Sequence, residues 1–423
     1  MTFSTARPAS WQVCLRCGNE ALESDVATRC RACGGLLEVR HRGPELSGGL
    51  LRALFQTRCC SRPDTTASGV WRFQEIVLPT VRPEEQVSQP EGNTPLLDRP
   101  ALAAWAGLET VRLKHEGHNP TGSFKDRGMT VGVTQAARLG ARAVACASTG
   151  NTSASLAAYA ALAGMPAFVL VPAGRIALGK LAQTIGFGAR VLAVRGDFDV
   201  CLRLVEEASE RLGVYLLNSI NPFRVEGQKT IVFELLQQLG WEAPDWIALP
   251  GGNLGNTAAF GKALEEARAW GLIERMPRLL VVQADGAAPF ARAFPGGFRE
   301  RISVEPETVA TAIRIGAPAS WDRAVRAIRA TDGVVTSVSD AEILEAKRQV
   351  DRAGVGCEPA SAASLAGVRR LVTEGQIAPD HRVVAVLTGH MLKDPEVLLG
   401  GRERGAMTEV DATLEAVERA VKE

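Results

Sequence analysis

The chain has 423 residues, enough for two or three domains with large cores, and carries 48 lysines and arginines against 47 aspartates and glutamates. This balance excludes the basic excess typical of nucleic-acid binding proteins, and no run of about 18 apolar residues is present to span a membrane. With no apolar secretory segment in residues 1–17 and only nine cysteines, an odd number, the sequence predicts a cytoplasmic protein without a disulfide scaffold, a nucleic-acid partner or a membrane partner.

The first predicted element is a metal-binding module at residues 1–45. It contains two C-x-x-C pairs, each followed by glycine and separated by twelve residues, and the four cysteines are Cys14, Cys17, Cys30 and Cys33. Four thiolates complete the tetrahedral shell of a zinc ion and leave no open position, so the pattern predicts a structural zinc ribbon. The alternative is four reduced thiols that hold no metal. Six arginines against five acidic residues in this stretch argue against a nucleic-acid-binding ribbon.

Residues 46–90 are predicted to form a connector, because they combine a turn-rich segment with several prolines. Residues 91–423 form the predicted catalytic domain, in which short apolar runs alternate with long Ala-rich amphipathic stretches. The runs that we expect to be strands are 143–147, 167–171, 191–194, 246–249, 279–283 and 383–387. This alternation predicts an α/β fold of βαβ units, with mostly parallel sheets covered by helices on both faces. The last stretch, 408–423, predicts a helix that packs its apolar face on the body.

In open α/β sheets, ligands bind beyond the carboxyl ends of the strands, and four unusual segments fall near such ends. The first is NPTGSFKDRG at residues 119–128, in which Lys125 lies close to a predicted helix start. The helix dipole disfavours a cation there by roughly 0.3–1 kcal/mol. A lysine bound covalently to an aldehyde cofactor removes that cost, whereas the alternative is a surface lysine paired with Asp126.

The second segment is PGGNLGN at residues 250–256, between a predicted strand and a predicted helix. Its glycines let backbone N–H groups converge on one point, as in phosphate-binding loops, and they are Gly251, Gly252 and Gly255. The segment matches neither the Walker sequence nor the G-x-G-x-x-G dinucleotide motif. A tight structural turn is the alternative.

The third segment is ASTGNTSAS at residues 147–155, and the fourth is VLTGHMLKD at residues 386–394. The third offers more hydrogen-bond donors than one helix cap needs, so a carboxylate or phenolic oxygen of a ligand would use the surplus. The donors are Ser148, Thr149, Asn151 and Thr152. In the fourth, Thr388 stands at the end of a predicted strand, where side chains reach the crevice. Glu358 and Ser361 either line the same crevice or cap a helix.

Together with EGNTPLL at residues 91–97, the four segments resemble the fold-type II pyridoxal-phosphate enzymes, a family that includes cysteine synthase, threonine deaminase and tryptophan synthase β. The resemblance covers residues 91–400. It implies two α/β lobes with pyridoxal 5'-phosphate between them, the smaller lobe at roughly 128–230 and the larger lobe from the rest. Because members of this family are commonly dimers, the resemblance also implies a homodimer.

The resemblance assigns roles to particular residues. It implies that Lys125 forms the Schiff base, that Asn151 bonds the phenolic oxygen of the cofactor and that Thr388 lies beside the pyridine nitrogen. The residues implied around the cofactor's phosphate are Gly251, Gly252, Asn253, Leu254 and Gly255. A hydroxyl such as that of Thr388 does not hold the ring nitrogen protonated, which suits eliminations at the substrate side chain.

Within this family, the segment LNSINPFRVEGQKT at residues 217–230 is similar to the stretch by which threonine synthases hold the phosphate of their substrate. The resemblance implies that phosphate leaves the γ-carbon of O-phospho-L-homoserine, that water adds at the β-carbon and that Lys125 removes the α-proton. The residues expected at the substrate are Ser148, Thr149, Thr152, Asn218, Ser219 and Arg224. The alternative for Arg224 is a salt bridge to Glu226 or to another neighbour. Met391 departs from the family pattern, in which a glycine is expected.

Three other functions stay open at this point. A cysteate synthase-like enzyme, which uses phosphoserine and sulfite, would share most of these motifs. A serine or threonine deaminase is disfavoured by Arg224 and by the lack of an evident regulatory domain in the sequence. A zinc-ribbon binding or regulatory protein with a vestigial enzyme body is disfavoured by the intact Lys125, Asn151 and glycine loop.

Overall fold

The computed structural model describes residues 8–60, 65–174, 178–399 and 408–422. Within these ranges the chain forms three β-sheets. The strands are β1 (Ser10–Cys14), β2 (Glu20–Leu22), β3 (Leu37–His41), β4 (Leu96–Asp98), β5 (Val111–His115), β6 (Ala143–Ala147), β7 (Ala167–Pro172), β8 (Arg190–Val194), β9 (Val214–Leu216), β10 (Trp246–Pro250), β11 (Arg278–Ala284), β12 (Val334–Val338) and β13 (Val383–Leu387).

The α-helices of the described chain surround these sheets. They are α1 (Gly48–Cys59), α2 (Gln74–Val77), α3 (Pro100–Ala106), α4 (Lys125–Arg138), α5 (Asn151–Leu162), α6 (Leu178–Gly186), α7 (Phe198–Leu212), α8 (Pro222–Gln228), α9 (Thr230–Gln238), α10 (Gly255–Ala269), α11 (Pro289–Ala293), α12 (Trp321–Ala330), α13 (Asp340–Arg352), α14 (Pro359–Thr373), α15 (Pro395–Leu399) and α16 (Leu414–Lys422).

Two parallel sheets form the body of the molecule. The larger has six strands in the order β12-β11-β10-β13-β5-β4, and in it β4 runs antiparallel to β5. The smaller has four parallel strands in the order β8-β7-β6-β9. The predicted α/β architecture with parallel sheets is therefore confirmed. All six predicted strands are present, and those at 143–147 and 383–387 have the predicted bounds.

The central strands are apolar throughout because helices cover both faces of each sheet. Every residue of β6, β10 and β13 is buried. On one face, α14 packs directly against β11. A methyl group at Gly367 of α14 would lie 2.3 Å from Val282 Cγ2, so glycine permits this close approach of helix and sheet.

The cysteine module is a small antiparallel sheet in the order β2-β1-β3. It is attached to the body of the molecule along β3, where Val39 is fully buried in the main core. Lys262 of α10 donates to the carbonyl of Val39, and Arg323 of α12 donates to the carbonyl of Leu37. Since both side chains are buried, the module is docked on the body rather than held by a loose tether.

The predicted connector contributes to the core of the body. Phe55 of α1, Trp71 and Phe73 are fully buried, and Trp71 Nε1 donates to Thr130 Oγ1 of α4 at 2.8 Å. Residues 46–90 therefore brace the helix that begins at the predicted cofactor lysine. The division of the chain at residues 45 and 90 stays a prediction.

A buried cluster of charges fixes the same helix. Glu234 Oε1 accepts from Lys114 Nζ at 2.5 Å and from Arg127 Nη2 at 2.9 Å, while its Oε2 accepts from Arg72 Nη2 at 3.0 Å. Burial alone would raise the pKa of Glu234, but the charges of Arg127, Lys114 and Arg72 hold it well below its usual value. Arg127 lies two residues after Lys125, so this cluster holds the first turn of α4 in place.

The C-terminal stretch forms the predicted helix, α16, but the predicted packing of its apolar face is wrong. Ala416 is buried, whereas Leu414 is 70% exposed and Val421 is 79% exposed. Apolar residues at helical spacing indicate an amphipathic helix. They do not show whether another surface of the protein lies close enough to cover the apolar face. Across the described residues, no helix has the length and apolar character that a membrane crossing requires.

Candidate active site

A cavity of about 420 Å³ opens beyond the carboxyl ends of the strands in the two parallel sheets. All four segments predicted from the sequence contribute to its lining. The predicted residues found there are Lys125, Ser148, Thr149, Asn151, Thr152, Asn218, Ser219, Gly252, Asn253, Leu254, Gly255 and Thr388. Two predicted residues, Gly251 and Arg224, lie outside this lining. The sheet topology thus brings together side chains that are far apart in the sequence.

Lys125 is the first residue of α4, two residues before the predicted helix start. Its Nζ lies 4.2 Å from the centroid of the Phe124 ring. Burial, and to a lesser extent the charge of Arg224, lowers the pKa of Lys125 to about 7, although Glu358 acts in the opposite direction. A large share of this amine is therefore uncharged near neutral pH, as a nucleophile or a base requires.

The alternative that Lys125 is a surface residue paired with Asp126 is wrong. The Asp126 carboxylate is fully buried and accepts from Thr121 N at 2.7 Å and from Thr121 Oγ1 at 2.6 Å. In addition, the N–H of Phe124 donates to the carbonyl of Thr388 at 3.0 Å. This bond joins the lysine segment to the end of β13, so that the first and fourth predicted segments are held side by side.

Glu358 connects two of the predicted cofactor residues. Asn151 Nδ2 donates to Glu358 Oε2 at 3.0 Å, and Thr388 Oγ1 donates to Glu358 Oε1 at 3.0 Å. Burial raises the pKa of this carboxyl. Glu358 occupies the N-cap position of α14 without forming a side-chain cap, so of the two alternatives for this residue the cavity-lining one is confirmed. Ser361 lies behind the lining, with its Oγ 3.0 Å from Thr388 Oγ1.

The glycine loop presents the start of α10 to the cavity. Leu254 has a left-handed φ of 61°, which turns the chain into the helix. A methyl group at Gly252 would lie 3.0 Å from Ile313 Cα, so the backbone is closely confined there. Thr257 Oγ1 is buried and has no hydrogen-bond partner among the described residues. The first N–H groups of a helix together with an unpaired hydroxyl fit a phosphate group.

Two residues of this loop already have protein partners. The N–H of Gly251 donates to the carbonyl of Val282 at 2.7 Å, so it extends the sheet and is not available to a phosphate. Asn253 Nδ2 donates to Ser219 Oγ at 2.6 Å, and Asn253 Oδ1 accepts from the N–H of Ala319 at 2.6 Å. Asn253 therefore ties the glycine loop to the segment predicted to bind substrate.

The third predicted segment lies at the open start of α5. The helix begins at Asn151, and its N-cap residue is Gly150, which offers no side chain to cap it. Ser148 Oγ accepts from the N–H of Gly150 at 3.2 Å, while Thr149 and Thr152 line the cavity. Because no side chain caps this helix and its first residues line the cavity, the first N–H groups are available there as donors to an anion.

Arg224 lies behind the cavity wall, next to Asn218. The Asn218 amide is held by the backbone of Ala147 through bonds of 3.0 and 3.1 Å. Arg224 is 1% exposed, and its Nη1 donates to the carbonyl of Leu217 at 3.0 Å. Its Nε and Nη2 have no partner within the described chain. The alternative of a salt bridge to Glu226 is wrong, because Glu226 pairs with two lysines and a histidine.

The electrostatic state of Arg224 is unusual for an arginine. Burial lowers its pKa to about 10, which still leaves it charged at neutral pH. A buried guanidinium that lacks partners for two of its nitrogens is costly, since the lost hydration is not replaced. An anion supplied by a ligand would remove that cost.

Several lining residues were not predicted as site residues, among them the charged Lys393 and Arg29. Lys393 donates to Gln183 of α6, and burial lowers its pKa. It lies within the VLTGHMLKD segment, so the sequence did contain a signal for it. Arg29 comes from the cysteine module and lines the cavity near α7. Its position depends on how the module docks on the body, which no local pattern specifies.

The four predicted zinc ligands form one cluster. Their sulfur atoms all lie within 4.8 Å of one another, and three of the pairs are 3.4, 3.5 and 3.7 Å apart. A tetrahedral zinc ion with Zn–S bonds of about 2.3 Å has sulfur–sulfur edges of roughly 3.8 Å. Gly18 and Gly34, which follow the two cysteine pairs, adopt left-handed φ values of 72° and 69°. The donor set and its spacing fit a structural zinc ion.

Comparisons with known proteins bear on this site. The profile of the family described as "Pyridoxal-phosphate dependent enzyme" matches residues 87–389. The threonine synthase of Methanosarcina acetivorans is 46% identical over 410 residues, which cover 96% of this chain and 98% of that protein. The threonine synthase of Mycobacterium leprae is 50% identical over 324 residues, which cover 76% of this chain and 88% of that protein. The crystal structure of threonine synthase from Escherichia coli shares the fold, with a TM-score of 0.70 at 21% identity over 97% of this chain and 94% of that chain.

Proposed function

The chain belongs to the pyridoxal-phosphate-dependent enzymes and, within them, to the threonine synthases, and from this we propose that its substrate is O-phospho-L-homoserine. In the proposed reaction, phosphate leaves the γ-carbon, water adds at the β-carbon, and the products are L-threonine and phosphate. The observation that carries the proposal is the buried Arg224, whose Nε and Nη2 have no partner among the described residues.

Arg224 supports a phosphate-bearing substrate for two reasons. Its charge lowers the pKa of Lys125, so the two side chains lie within electrostatic range of each other. A guanidinium also binds a phosphate through two parallel, charge-assisted hydrogen bonds, which a neutral hydroxyl group of a substrate cannot accept. The proposed phosphate site consists of this guanidinium, the Asn218 amide and the Ser219 hydroxyl. Movement of the wall between Arg224 and the cavity would let the two nitrogens reach the ligand.

The residues present also fit the cofactor. Pyridoxal phosphate, when bound, supplies the electron-withdrawing ring that stabilises negative charge at the substrate's α-carbon. We assign Lys125 Nζ as the covalent attachment point, and the amides of residues 252–255 with the Thr257 hydroxyl as the phosphate site. Asn151 is assigned to the phenolic oxygen and Thr388 to the ring nitrogen. The roles of Lys125, Asn151 and Thr388 rest on the family resemblance and on their shared position in the cavity.

The side chains of the protein have three tasks in this proposal. Lys125 Nζ, with a pKa of about 7, accepts the proton from the substrate's α-carbon. The phosphate site stabilises the charge that grows on the leaving phosphate. The uncapped start of α5, with Ser148, Thr149 and Thr152, holds the substrate carboxylate and so fixes the direction in which the γ-carbon points.

One experiment tests the proposed function and separates it from its nearest rival. The purified holoenzyme is incubated with O-phospho-L-homoserine, and we expect L-threonine and free phosphate in equal amounts. In parallel it is incubated with phosphoserine and sulfite, from which a cysteate synthase-like enzyme would form cysteate and phosphate. Cysteate formation without threonine formation would replace the proposed function with that rival. A keto acid and ammonia, formed from serine or threonine alone, would indicate a deaminase.

Assembly and location are further proposals that rest on the family resemblance. We infer that the enzyme is a homodimer in the cytoplasm. Light scattering after gel filtration should then give about twice the 45.0 kDa mass of one chain. A mass equal to that of one chain would contradict the dimer.

A further inference from the structure

One residue of the cysteine module, Arg29, lines the cavity, and among residues 8–45 it is the only one that does so. Its backbone pairs with that of Leu36 in an antiparallel bridge. Leu36 packs against an apolar cluster of the smaller lobe that includes Ile220, the residue after Ser219. Arg29 is therefore held beside the segment to which the substrate's phosphate is assigned.

The cavity has a surplus of positive charge. Its cationic lining residues in the described chain are Arg29, Lys125, Arg314 and Lys393, and its acidic one is Glu358. Lys125 is assigned to the cofactor, and Lys393 donates to Gln183. A phosphate ester carries a charge of about −1.5 to −2 near neutral pH, so the substrate brings an anion that the remaining cations can bind. Of the remaining cationic residues, Arg29 lies on the side of the cavity where Ser219 is.

The present partner of Arg29 is a weak one. Arg29 Nη2 lies 3.3 Å from Glu206 Oε1 of α7, and the two side chains are 43% and 31% exposed. Such pairs contribute little because water screens the charges and two long side chains must be ordered. Phe198 and Leu202 of the same helix line the cavity, so Arg29 stands at the boundary between solvent and cavity. A doubly charged phosphate is a stronger partner for its guanidinium than this carboxylate.

We propose that Arg29 is a specificity-determining residue that exchanges Glu206 for the phosphate of O-phospho-L-homoserine as the substrate enters the cavity. The inference rests on the proposed function and gives the cysteine module a part in substrate binding. Phosphate released in the reaction leaves by the same opening, so Arg29 also binds inorganic phosphate. A ligand without phosphate, such as L-threonine, makes no use of Arg29.

The test compares Arg29→Gln with the matched variant Arg31→Gln in the full-length holoenzyme. Arg31 belongs to the same module, is 68% exposed at its side chain, pairs with Asp25 and does not line the cavity. At low ionic strength, Arg29→Gln should raise KM for O-phospho-L-homoserine and the inhibition constant of inorganic phosphate by roughly threefold to tenfold, with kcat nearly unchanged. The dissociation constant of L-threonine, followed by cofactor absorbance, should stay the same. Arg31→Gln should match the wild type, and Arg29→Lys should restore part of the loss.

A second variant separates anion binding from a purely structural role of the ion pair. If Arg29 served only to join the module to α7, then Glu206→Gln would reproduce Arg29→Gln. We expect instead that Glu206→Gln leaves KM unchanged or lowers it, because the guanidinium is then freer to bind phosphate. Zinc content is measured in each variant to show that the module is intact.

Three results would overturn the inference: no change in Arg29→Gln, an equal weakening of L-threonine binding, or a raised KM in Glu206→Gln. Failure of the proposed function looks different. In that case the wild-type enzyme forms no threonine from O-phospho-L-homoserine. Whether Arg29 binds anions is then decided by comparing the dissociation constants of inorganic phosphate for the wild type and for Arg29→Gln.

Discussion

The cysteine module and the cofactor cavity are both binding sites, yet the chain builds them in opposite ways. The four sulfur ligands lie within residues 14–33 and are brought together by two short turns. The cavity takes its residues from positions as distant as Lys125 and Thr388, which meet because parallel strands end at the same edge of a sheet. The first site needs only local geometry, whereas the second needs the whole body to be folded.

The difference extends to what holds each site in place. The module has a small core of its own, in which Cys14, Cys30 and Leu37 are buried. The cavity is held in part by buried charges, since the Glu234 cluster includes Arg127 of the helix that begins at Lys125. We therefore expect changes in the cavity to leave the module intact, and changes in the module to affect the cavity only where the two touch.

The largest expected effect comes from Lys125→Ala. Turnover of O-phospho-L-homoserine should fall about 10³-fold or more, because both the attachment point and the base are removed. The visible absorbance of the lysine-bound cofactor should disappear, while zinc content and the far-ultraviolet circular dichroism spectrum stay as in the wild type. Loss of zinc in this variant would show that the cysteine module is not independent of the cavity.

The second expected effect is on stability, from Glu234→Gln. Removal of one charge from a buried cluster leaves unpaired cations in the core, which costs about 3–5 kcal/mol in the free energy of unfolding. The matched control is Glu242→Gln, since Glu242 is 77% exposed and pairs with Arg382 at 3.3 Å. This exposed pair should contribute less than about 1 kcal/mol to the free energy of unfolding. Equal losses in denaturant titrations of the two variants would contradict the role given to the buried cluster.

The third expected effect is on the pH dependence of stability and comes from His41, which lies where the cysteine module contacts the body. Burial and the charge of Lys229 lower the pKa of His41 to about 4, despite the Glu226 carboxylate 2.7 Å from its Nε2. His41 is therefore neutral in the folded protein, and Ser10 Oγ, 2.8 Å away, donates to its Nδ1.

The sign of the resulting pH dependence follows from this neutral state. Between the usual 6.5 and about 4, the unfolded chain binds a proton at His41 that the folded chain does not. Stability should then fall as the pH drops through this window, by at most roughly 3 kcal/mol. Denaturant titrations of the wild type and His41→Gln from pH 7 to pH 4 would isolate the contribution of His41 to the pH dependence of stability. If the free energy of unfolding changed with pH equally in the two proteins, this contribution would be excluded.

The smallest expected effect on activity comes from Cys33→Ser. This change should release zinc and loosen the hairpin that carries Arg29, so kcat/KM should fall by roughly threefold to tenfold, as in Arg29→Gln. Cofactor absorbance should be retained because no residue of the cofactor site lies in the module. A loss as large as that of Lys125→Ala would mean that the cavity cannot form without the metal.

The sequence allowed the strands and the site segments to be predicted, because both depend on local signals. The runs at 143–147 and 383–387 are strands with the predicted bounds, and the glycine pattern located the loop before α10. Other features depend on contacts between distant residues. Nothing local distinguishes the buried Lys114 and Arg72 from surface residues, since the partner that neutralises them, Glu234, is contributed by α9.

The same limit explains the individual errors. Gly251 looks like a phosphate-binding glycine, but its N–H is taken by Val282 of the neighbouring strand, which only the sheet pairing reveals. Glu226 looked like a partner for Arg224, but its carboxylate pairs with the nearby Lys229 and with His41 and Lys262. Val282, His41 and Lys262 are all distant in sequence from the residues whose groups they occupy.

Attachment of the cofactor to Lys125 can be tested by chemical trapping. The holoenzyme is treated with borohydride, which reduces the bond between lysine and cofactor and makes it permanent, and the modified peptide is identified by mass spectrometry. We predict a single pyridoxyl group on the Nζ of Lys125. A pyridoxyl group on Lys393, the other lysine of the cavity, or an unmodified peptide from a protein that shows the cofactor's visible absorbance, would contradict the account.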